Sequence, residues 1–183
     1  MISGFGSRLP LFLDQFLGGR SVEENGGFYF VPPLSGRFGP YGCSDARGAI
    51  IGMTRFTNKG HLARAVLEAI AYQTRDILDA MRRDSDLTLK AIKVDGEMVQ
   101  NDLLMSFQAD ILGEPIAQQK ICEISALGAA YAAGLATGFW DGLEDLRDNW
   151  QINKAWQPHM PAETRQRLYS GWLKAVKTVE WID

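Results

Sequence analysis

The segment KVDGEMVQNDLLMSFQADILG, residues 93–113, has the pattern of a strand, a glycine turn and a helix. Asp95 and Gly96 end the predicted strand, and Asn101 falls one turn inside the predicted helix. A glycine lets a ligand approach the backbone, and the unpaired N–H groups at a helix start favour anions. These residues could therefore hold the phosphates of a nucleotide, although a single glycine is also what an ordinary turn uses.

Glu97 changes the chemistry that this segment predicts, because it places a carboxylate directly after Gly96, where phosphates would come. At ~4 Å and an effective dielectric of ~20, repulsion from one phosphate charge costs roughly 4 kcal/mol, which is on the order of a thousandfold in affinity. The side chain would also strain a backbone that required positive φ. In the first turn of a helix, however, a glutamate is favourable by roughly 0.3–1 kcal/mol. Glu97 thus fits a fold that does not depend on a tightly bound triphosphate.

A second segment, SALGAAYAAGLATGFW at residues 125–140, predicts a helix with a face of small side chains. Ser125 could cap this helix, and Ala126 and Gly128 lie in its first turns. Small side chains permit close approach to a flat ligand, but close packing against a sheet is the commoner reason for such a face.

Other polar residues lie on a loop or at a helix start. Tyr41, Asp45 and Arg47 belong to the Gly- and Pro-rich loop at residues 35–48, where Asp45 and Arg47 could form a local ion pair. Loops carry functional residues more often than cores do. His61 lies at the start of a predicted helix and favours a surface or capping role. The sequence has no Ser/His/Asp arrangement, no paired-carboxylate signature and no Walker-type loop, so no catalytic residue and no metal ligand is predicted.

Composition and charge exclude several classes of protein. The chain has 183 residues, 46% of them hydrophobic, and 19 basic against 22 acidic residues give a net charge of −3. This balance offers no electrostatic basis for nucleic-acid binding. No run approaches the roughly 20 apolar residues of a membrane span, and no signal peptide is indicated. Cys43 and Cys122 match no metal or redox motif and predict free thiols in the cytoplasm.

The pattern along the chain predicts an irregular arm at residues 1–25, with a short helix near 9–16, followed by one domain at residues 26–183. Strands are predicted at residues 26–33, 49–56 (buried), 89–96 and 114–119. Helices are predicted from the Asn58 cap to about Met81, at 98–112 with Gly113 as the stop, at 125–140 and at 162–181. This alternation predicts an α/β protein with helices packed on a sheet.

Residues 48–81 resemble the C-terminal signature of the FGGY family of carbohydrate kinases, and within that family the glycerol kinases. The matching positions are Gly48, Ile50, Gly52, Met53, His61, Leu62, Ala65 and Glu68. The blocks YFVPPLSGRFGPYG, KVDGEMVQNDLLMSFQADILG and SALGAAYAAGLATGFW match glycerol kinase blocks in the same order and spacing. The resemblance covers about residues 26–181.

The resemblance implies an actin-like ATPase (ribonuclease H-like) lobe, with a mixed sheet flanked by helices. Family members transfer a phosphoryl group from Mg-ATP to glycerol or another small polyol in a cleft between two lobes. Their C-terminal lobe carries much of the ATP site. The resemblance implies nucleotide contacts at Asp95, Gly96 and Asn101, and it puts residues 126–129, with Ala126 and Gly128, near the nucleotide.

Departures from the family pattern sharpen these expectations. The N-terminal lobe with the catalytic aspartate is not in this chain, so we expect the chain alone to have no kinase activity. Glu97 replaces the second glycine of the family's DGG segment, Gly42 stands where tryptophan is usual, and Ser125 replaces threonine. Two alternatives stay open. One is a lobe of another FGGY sugar kinase, and the other is a non-catalytic interaction module that forms a homo-oligomer or docks onto a full-length kinase.

Overall fold

The computed structural model describes residues 18–32, 46–85, 91–120, 124–147 and 151–179. The loop residues Tyr41 and Asp45, both cysteines and the predicted helix near residues 9–16 lie outside these ranges. Within them the elements are, in order, β1 (Tyr29–Val31), β2 (Ala49–Ile51), α1 (Lys59–Asp84), β3 (Ile92–Val94), α2 (Asp102–Leu112), β4 (Ile116–Gln119), α3 (Ile124–Ala136), α4 (Leu143–Arg147), β5 (Ile152–Trp156) and α5 (Ala162–Val179).

The described strands form a three-stranded mixed sheet and a separate antiparallel pair. In the sheet, β4 lies in the middle, parallel to β3 and antiparallel to β5. The other pair joins β1 to β2. Helices alternate with these strands after residue 48, so the predicted α/β class with a mixed sheet is confirmed.

Helix α1 begins at the Asn58 cap that the sequence predicts, and His61 completes a capping box. The Asn58 side chain accepts hydrogen bonds from Gly60 N at 2.8 Å and His61 N at 3.3 Å. The Asn58 N–H in turn donates to Nδ1 of His61 at 3.3 Å. The capping role expected of His61 is therefore confirmed, and its ring nitrogen satisfies a backbone donor that the helix start would otherwise leave unpaired.

The core lies between α1, α2, α5 and β1. Tyr72 stacks on Trp172 with ring centroids 5.3 Å apart and meets Phe107 edge-on at 5.5 Å. Asp76 is also buried there, and it accepts hydrogen bonds from Tyr169 Oη at 2.7 Å and Trp172 Nε1 at 3.0 Å. A buried carboxylate is tolerated when donors surround it in this way, so Asp76 joins α1 to α5.

The described part of the predicted arm, residues 18–25, is anchored to α1. Asn25 donates to Glu68 Oε2 at 2.7 Å, and Arg64 pairs with Glu68 Oε1 at 2.8 Å. Arg64 also donates to the backbone oxygen of Val22 at 3.2 Å. Burial raises the pKa of the Glu68 carboxyl, although its hydrogen bonds with Arg64 and Asn25 act in the opposite direction.

The predicted buried strand at 49–56 is wrong in both length and burial. The strand ends at Ile51 because Gly52 takes a φ of +85°, where a Cβ would overlap the carbonyl oxygen of Gly27. A turn follows, in which Thr54 N donates to Thr57 Oγ1 at 2.9 Å. Phe56 in this turn is 72% exposed.

Several other boundaries differ from the predicted ones. Helix α3 ends at Ala136 rather than 140, because Gly138 at φ +75° reverses the chain and Phe139 N donates to Gly134 O at 2.8 Å. Gly113, at φ +70°, stops α2 as predicted. The described β3 covers 92–94 of the predicted 89–96, and α5 is described to Val179. Neither α4 nor β5 was predicted.

Candidate functional site

The chain leaves β3 and β4 at the same edge of the sheet, because these neighbouring strands are parallel. Ile92 lies opposite Ile116, and Val94 lies opposite Gln118. The turn at residues 95–101 follows β3, and α3 is the next element after β4. Ligands of open α/β sheets bind outside the carboxyl ends of such strands. The two predicted groups of site residues therefore follow, along the chain, two strands that end at the same edge.

The backbone conformation at residue 96 favours glycine over any other residue. Gly96 adopts φ +92° and ψ 175°, a conformation that side chains disfavour. A Cβ built on it would meet no atom within 4 Å. The constraint is therefore conformational rather than steric, and the space beside Gly96 is open to a ligand. Asp95, which precedes it, is exposed.

Glu97 is exposed and opens a 3-10 turn, Glu97–Gln100. No described residue other than glycine has positive φ, so the carboxylate stands on an unstrained backbone. The strain that the sequence suggested for Glu97 is absent because Gly96 takes the unusual conformation instead. Val99, 3% exposed, anchors the turn in the core, and its N–H donates to Gly96 O at 3.3 Å.

Asn101 lies at the N-cap of α2, not one turn inside the helix. The 3-10 turn occupies the residues predicted to open the helix, so α2 begins at Asp102 rather than Met98. The Asn101 side-chain oxygen accepts the Leu104 N–H at 3.1 Å, and Asn101 is 3% exposed. Capping is the role that the structure shows for this oxygen.

Asp102, which the sequence reasoning missed, ties the start of α2 to β5. Its Oδ1 accepts a hydrogen bond from Lys154 Nζ at 2.5 Å and another from Trp156 Nε1 at 3.2 Å. The Lys154 hydrogen bond is the main reason why the pKa of Asp102 lies below its usual value. The segment INKAW has two polar residues followed by two apolar ones, so no apolar–polar alternation marks it as a strand.

Helix α3 presents small, exposed side chains at its start. It begins at Ile124, so Ser125 lies in its first turn rather than at the predicted cap position. Ala126 and Gly128 are exposed, and a Cβ at Gly128 would meet nothing within 4 Å. Close packing on a sheet does not explain this part of the helix. Close packing does explain Gly134, where the ring of Trp140, from the turn after α3, occupies the space of a side chain.

Metal ligands and membrane-spanning helices are not found in the part of the chain that the structure describes. No group of three or more His, Cys, Asp or Glu residues there could hold a metal ion. No helix within the same ranges has both the length and the apolar character needed to cross a bilayer. A cleft of about 300 Å³ lies between residues 23–25 and helices α1, α2 and α5, and its lining includes none of the candidate nucleotide residues.

Comparisons with known proteins point to one family. A sequence model of the FGGY family of carbohydrate kinases, C-terminal domain, matches residues 11–137. A glycerol kinase of Chloroflexus aggregans is 60% identical over 163 residues, which are 88% of this chain and 33% of that protein. A Plasmodium falciparum glycerol kinase solved with ADP superposes with a TM-score of 0.85 at 33% identity, covering 97% of this chain and 37% of that one.

A more distant structure limits how much the fold alone says about the substrate. A ligand-bound xylulose kinase of Lactobacillus acidophilus superposes with a TM-score of 0.77 at 26% identity, over 94% of this chain and 34% of that one. The chain spans about a third of the length of these curated relatives and structures. The similarity therefore concerns their C-terminal part.

Proposed function

The chain belongs to the FGGY family of carbohydrate kinases, as a C-terminal domain, and we propose that it is the nucleotide-side lobe of a glycerol kinase. The 60% identity to a glycerol kinase over 88% of the chain carries the substrate assignment. Similarity to a xylulose kinase is much lower, at 26% identity. Glycerol is therefore favoured over other polyols as the substrate of the whole protein.

The proposed nucleotide site is the edge of the sheet where β3 and β4 end. The space beside Gly96 is open, and a side chain there would keep a ligand away from the backbone. The space beside Gly128 on α3 is open as well. A flat, charged ligand needs such close approach to backbone N–H groups. We assign nucleotide contacts to Asp95, Gly96, Glu97, Asn101, Ala126 and Gly128. The ADP in the Plasmodium falciparum structure supports an adenine nucleotide as the ligand.

Magnesium would reach this site with the nucleotide. Mg²⁺ in kinases keeps several waters and is held by phosphate oxygens and one or two carboxylates. Asp95 is an exposed carboxylate beside Gly96, and the described residues contain no group of three or more such ligands. When bound, the ion neutralises phosphate charge, which would reduce the repulsion from Glu97.

Phosphoryl transfer also needs groups that position glycerol and accept its proton. We assign these to the part of the relatives that this chain does not match, which is about two thirds of their length. The chain by itself would then bind nucleotide weakly and show no glycerol kinase turnover. Docking onto a complete kinase would supply the missing groups from a second chain. A homo-oligomer of this chain would not supply them, because every copy would lack the same groups.

Calorimetric titration of Mg-ATP into the full chain tests the role of Glu97. We expect both Glu97→Gly and Glu97→Gln to tighten binding, by less than the roughly thousandfold of one unscreened repulsion, because Mg²⁺ neutralises part of the phosphate charge. Glu97→Gln removes the charge but keeps the size of the side chain. If only Glu97→Gly tightened Mg-ATP binding, the size of the side chain rather than its charge would be what weakens binding. Glu163→Gln, at an exposed residue of α5, is the charge-matched control. Micromolar binding by the unaltered chain would contradict the proposed effect of the carboxylate.

A further inference from the structure

The turn that carries Gly96 and Glu97 is fixed at two ends by different means. At its start, β3 is paired with β4, and Val94 lies opposite Gln118. At its end, Asn101 caps α2 through Leu104 N. Between these ends the turn has two short-range hydrogen bonds, from Val99 N to Gly96 O at 3.3 Å and from Asn101 N to Met98 O at 3.1 Å. The second end therefore depends on how firmly the start of α2 is held.

Strand β5 holds the start of α2 through Asp102. Lys154 lies opposite Gln118 in the sheet, so Val94, Gln118 and Lys154 form one row across three strands. From this row, Lys154 Nζ reaches Asp102 Oδ1 at 2.5 Å, and Trp156 Nε1 reaches the same oxygen at 3.2 Å. One carboxylate oxygen thus connects the first residue of α2 to the row in which β3 ends.

The exposure of Asp102 and Lys154 indicates that losing their contact would affect the nearby turn more than the stability of the whole fold. The Asp102 and Lys154 side chains are 50% and 48% exposed, and exposed ion pairs contribute little to the stability of a fold. Trp156 is 7% exposed, so its ring belongs to the core while its indole N–H serves Asp102. Loss of the Lys154 contact would therefore affect the adjoining turn more than the molecule as a whole.

We propose that Lys154 and Trp156 are positioning residues, which act through Asp102 to hold the turn at residues 95–101 in the arrangement that admits a nucleotide. This inference rests on the proposed function for its ligand. It rests on geometry alone for the conformation of the turn. Strand β5, which the sequence did not predict, would thereby contribute to the candidate site.

Hydrogen exchange of the backbone amides of Val99, Asn101 and Leu104, measured on the full chain without ligand, tests the effect on the turn. We expect Lys154→Met and Trp156→Phe to accelerate exchange at these amides about two- to fivefold, the range that an exposed pair supports. Lys154→Arg keeps the charge and should restore slow exchange. Lys174→Met, at an exposed residue of α5 and with the same loss of charge, should leave exchange unchanged.

Mg-ATP affinity of the same variants in a Glu97→Gly background is the second readout. We expect affinity to fall with Lys154→Met, to recover with Lys154→Arg and to stay unchanged with Lys174→Met. Unaltered exchange in Lys154→Met and Trp156→Phe would overturn the positioning role, as would faster exchange with unchanged affinity. Absence of ATP binding in the background chain itself would refute the proposed nucleotide site, whereas the exchange rates would still decide whether β5 holds the turn.

Discussion

Two helical regions of the molecule use their apolar residues in opposite ways. One consists of helices α1, α2 and α5, and the other is the segment at residues 124–147. In the three-helix region, Tyr72 and Trp172 are 1% and 0% exposed. In the other segment, Phe139 and Leu143 are 76% and 67% exposed. The small side chains of α3 are exposed as well. The three-helix region is a packed core, whereas residues 124–147 present apolar surface that the described residues do not cover.

This difference separates what holds the fold from what the proposed site uses. Hydrophobic burial is the dominant favourable contribution to folding, so stability should come mainly from the three-helix region. The proposed site instead needs open space beside Gly96 and Gly128, and that space is incompatible with tight packing. Substitutions in the two regions should therefore give different phenotypes, in stability for the first and in nucleotide binding for the second.

Truncation of one tryptophan in each region gives the largest expected contrast. Trp172→Ala removes a fully buried ring that stacks on Tyr72 and donates to Asp76, and we expect a loss of about 3–5 kcal/mol in the free energy of unfolding. Trp140→Ala removes a half-buried ring over Gly134, for which we expect about 1 kcal/mol or less. Urea denaturation measures both. Equal losses would mean that residues 124–147 belong to the same cooperative core.

The buried carboxylate of Glu68 gives a smaller effect, visible as a pH dependence. Burial raises the pKa of Glu68, so its contribution to stability is present below the unfolded-state pKa and is lost as pH rises through the higher folded-state value. The free energy of unfolding of Glu68→Gln, relative to the unaltered chain, should therefore increase from about pH 4 to pH 7. The increase is about 1.4 kcal/mol for each unit by which the pKa is raised.

The exposed Glu163 provides the control for this measurement. The unfolding free energy of Glu163→Gln, relative to the unaltered chain, gives the baseline for removing one exposed carboxylate over the same pH range. A difference for Glu68→Gln that does not exceed this baseline would show that the hydrogen bonds from Asn25 and Arg64 offset the cost of burial.

Local signals predicted the parts of the fold that depend on local physics. The Asn58 cap and the Gly113 stop were readable because each acts on its own helix end within a few residues. The start of α2 was not, because a 3-10 turn and a first α-helical turn have similar residue patterns. Strand β5 depends on pairing with β4, across more than thirty residues of chain, and no local pattern encodes that register.

The candidate site was predictable in its backbone and less so in its side chains. The strand, glycine and helix pattern located Gly96, and the parallel pairing of β3 with β4 makes both strands end at one edge. The Asp102 contacts with β5 could not be predicted, since they join residues 52 and 54 positions apart. That separation is tertiary information, and it turns an ordinary helix-start aspartate into a link to the sheet.

Chemical-shift mapping of Mg-ATP binding on the isotope-labelled full chain tests the central claim most directly. In the Glu97→Gly variant, we expect shifts in two segments, residues 95–101 and the first turns of α3, with none at Arg167 or Glu24 in the cleft between the helices. That result would place the nucleotide at the edge where β3 and β4 end. Shifts confined to the cleft, or no shifts at saturating Mg-ATP, would contradict the assignment of this lobe as a nucleotide site.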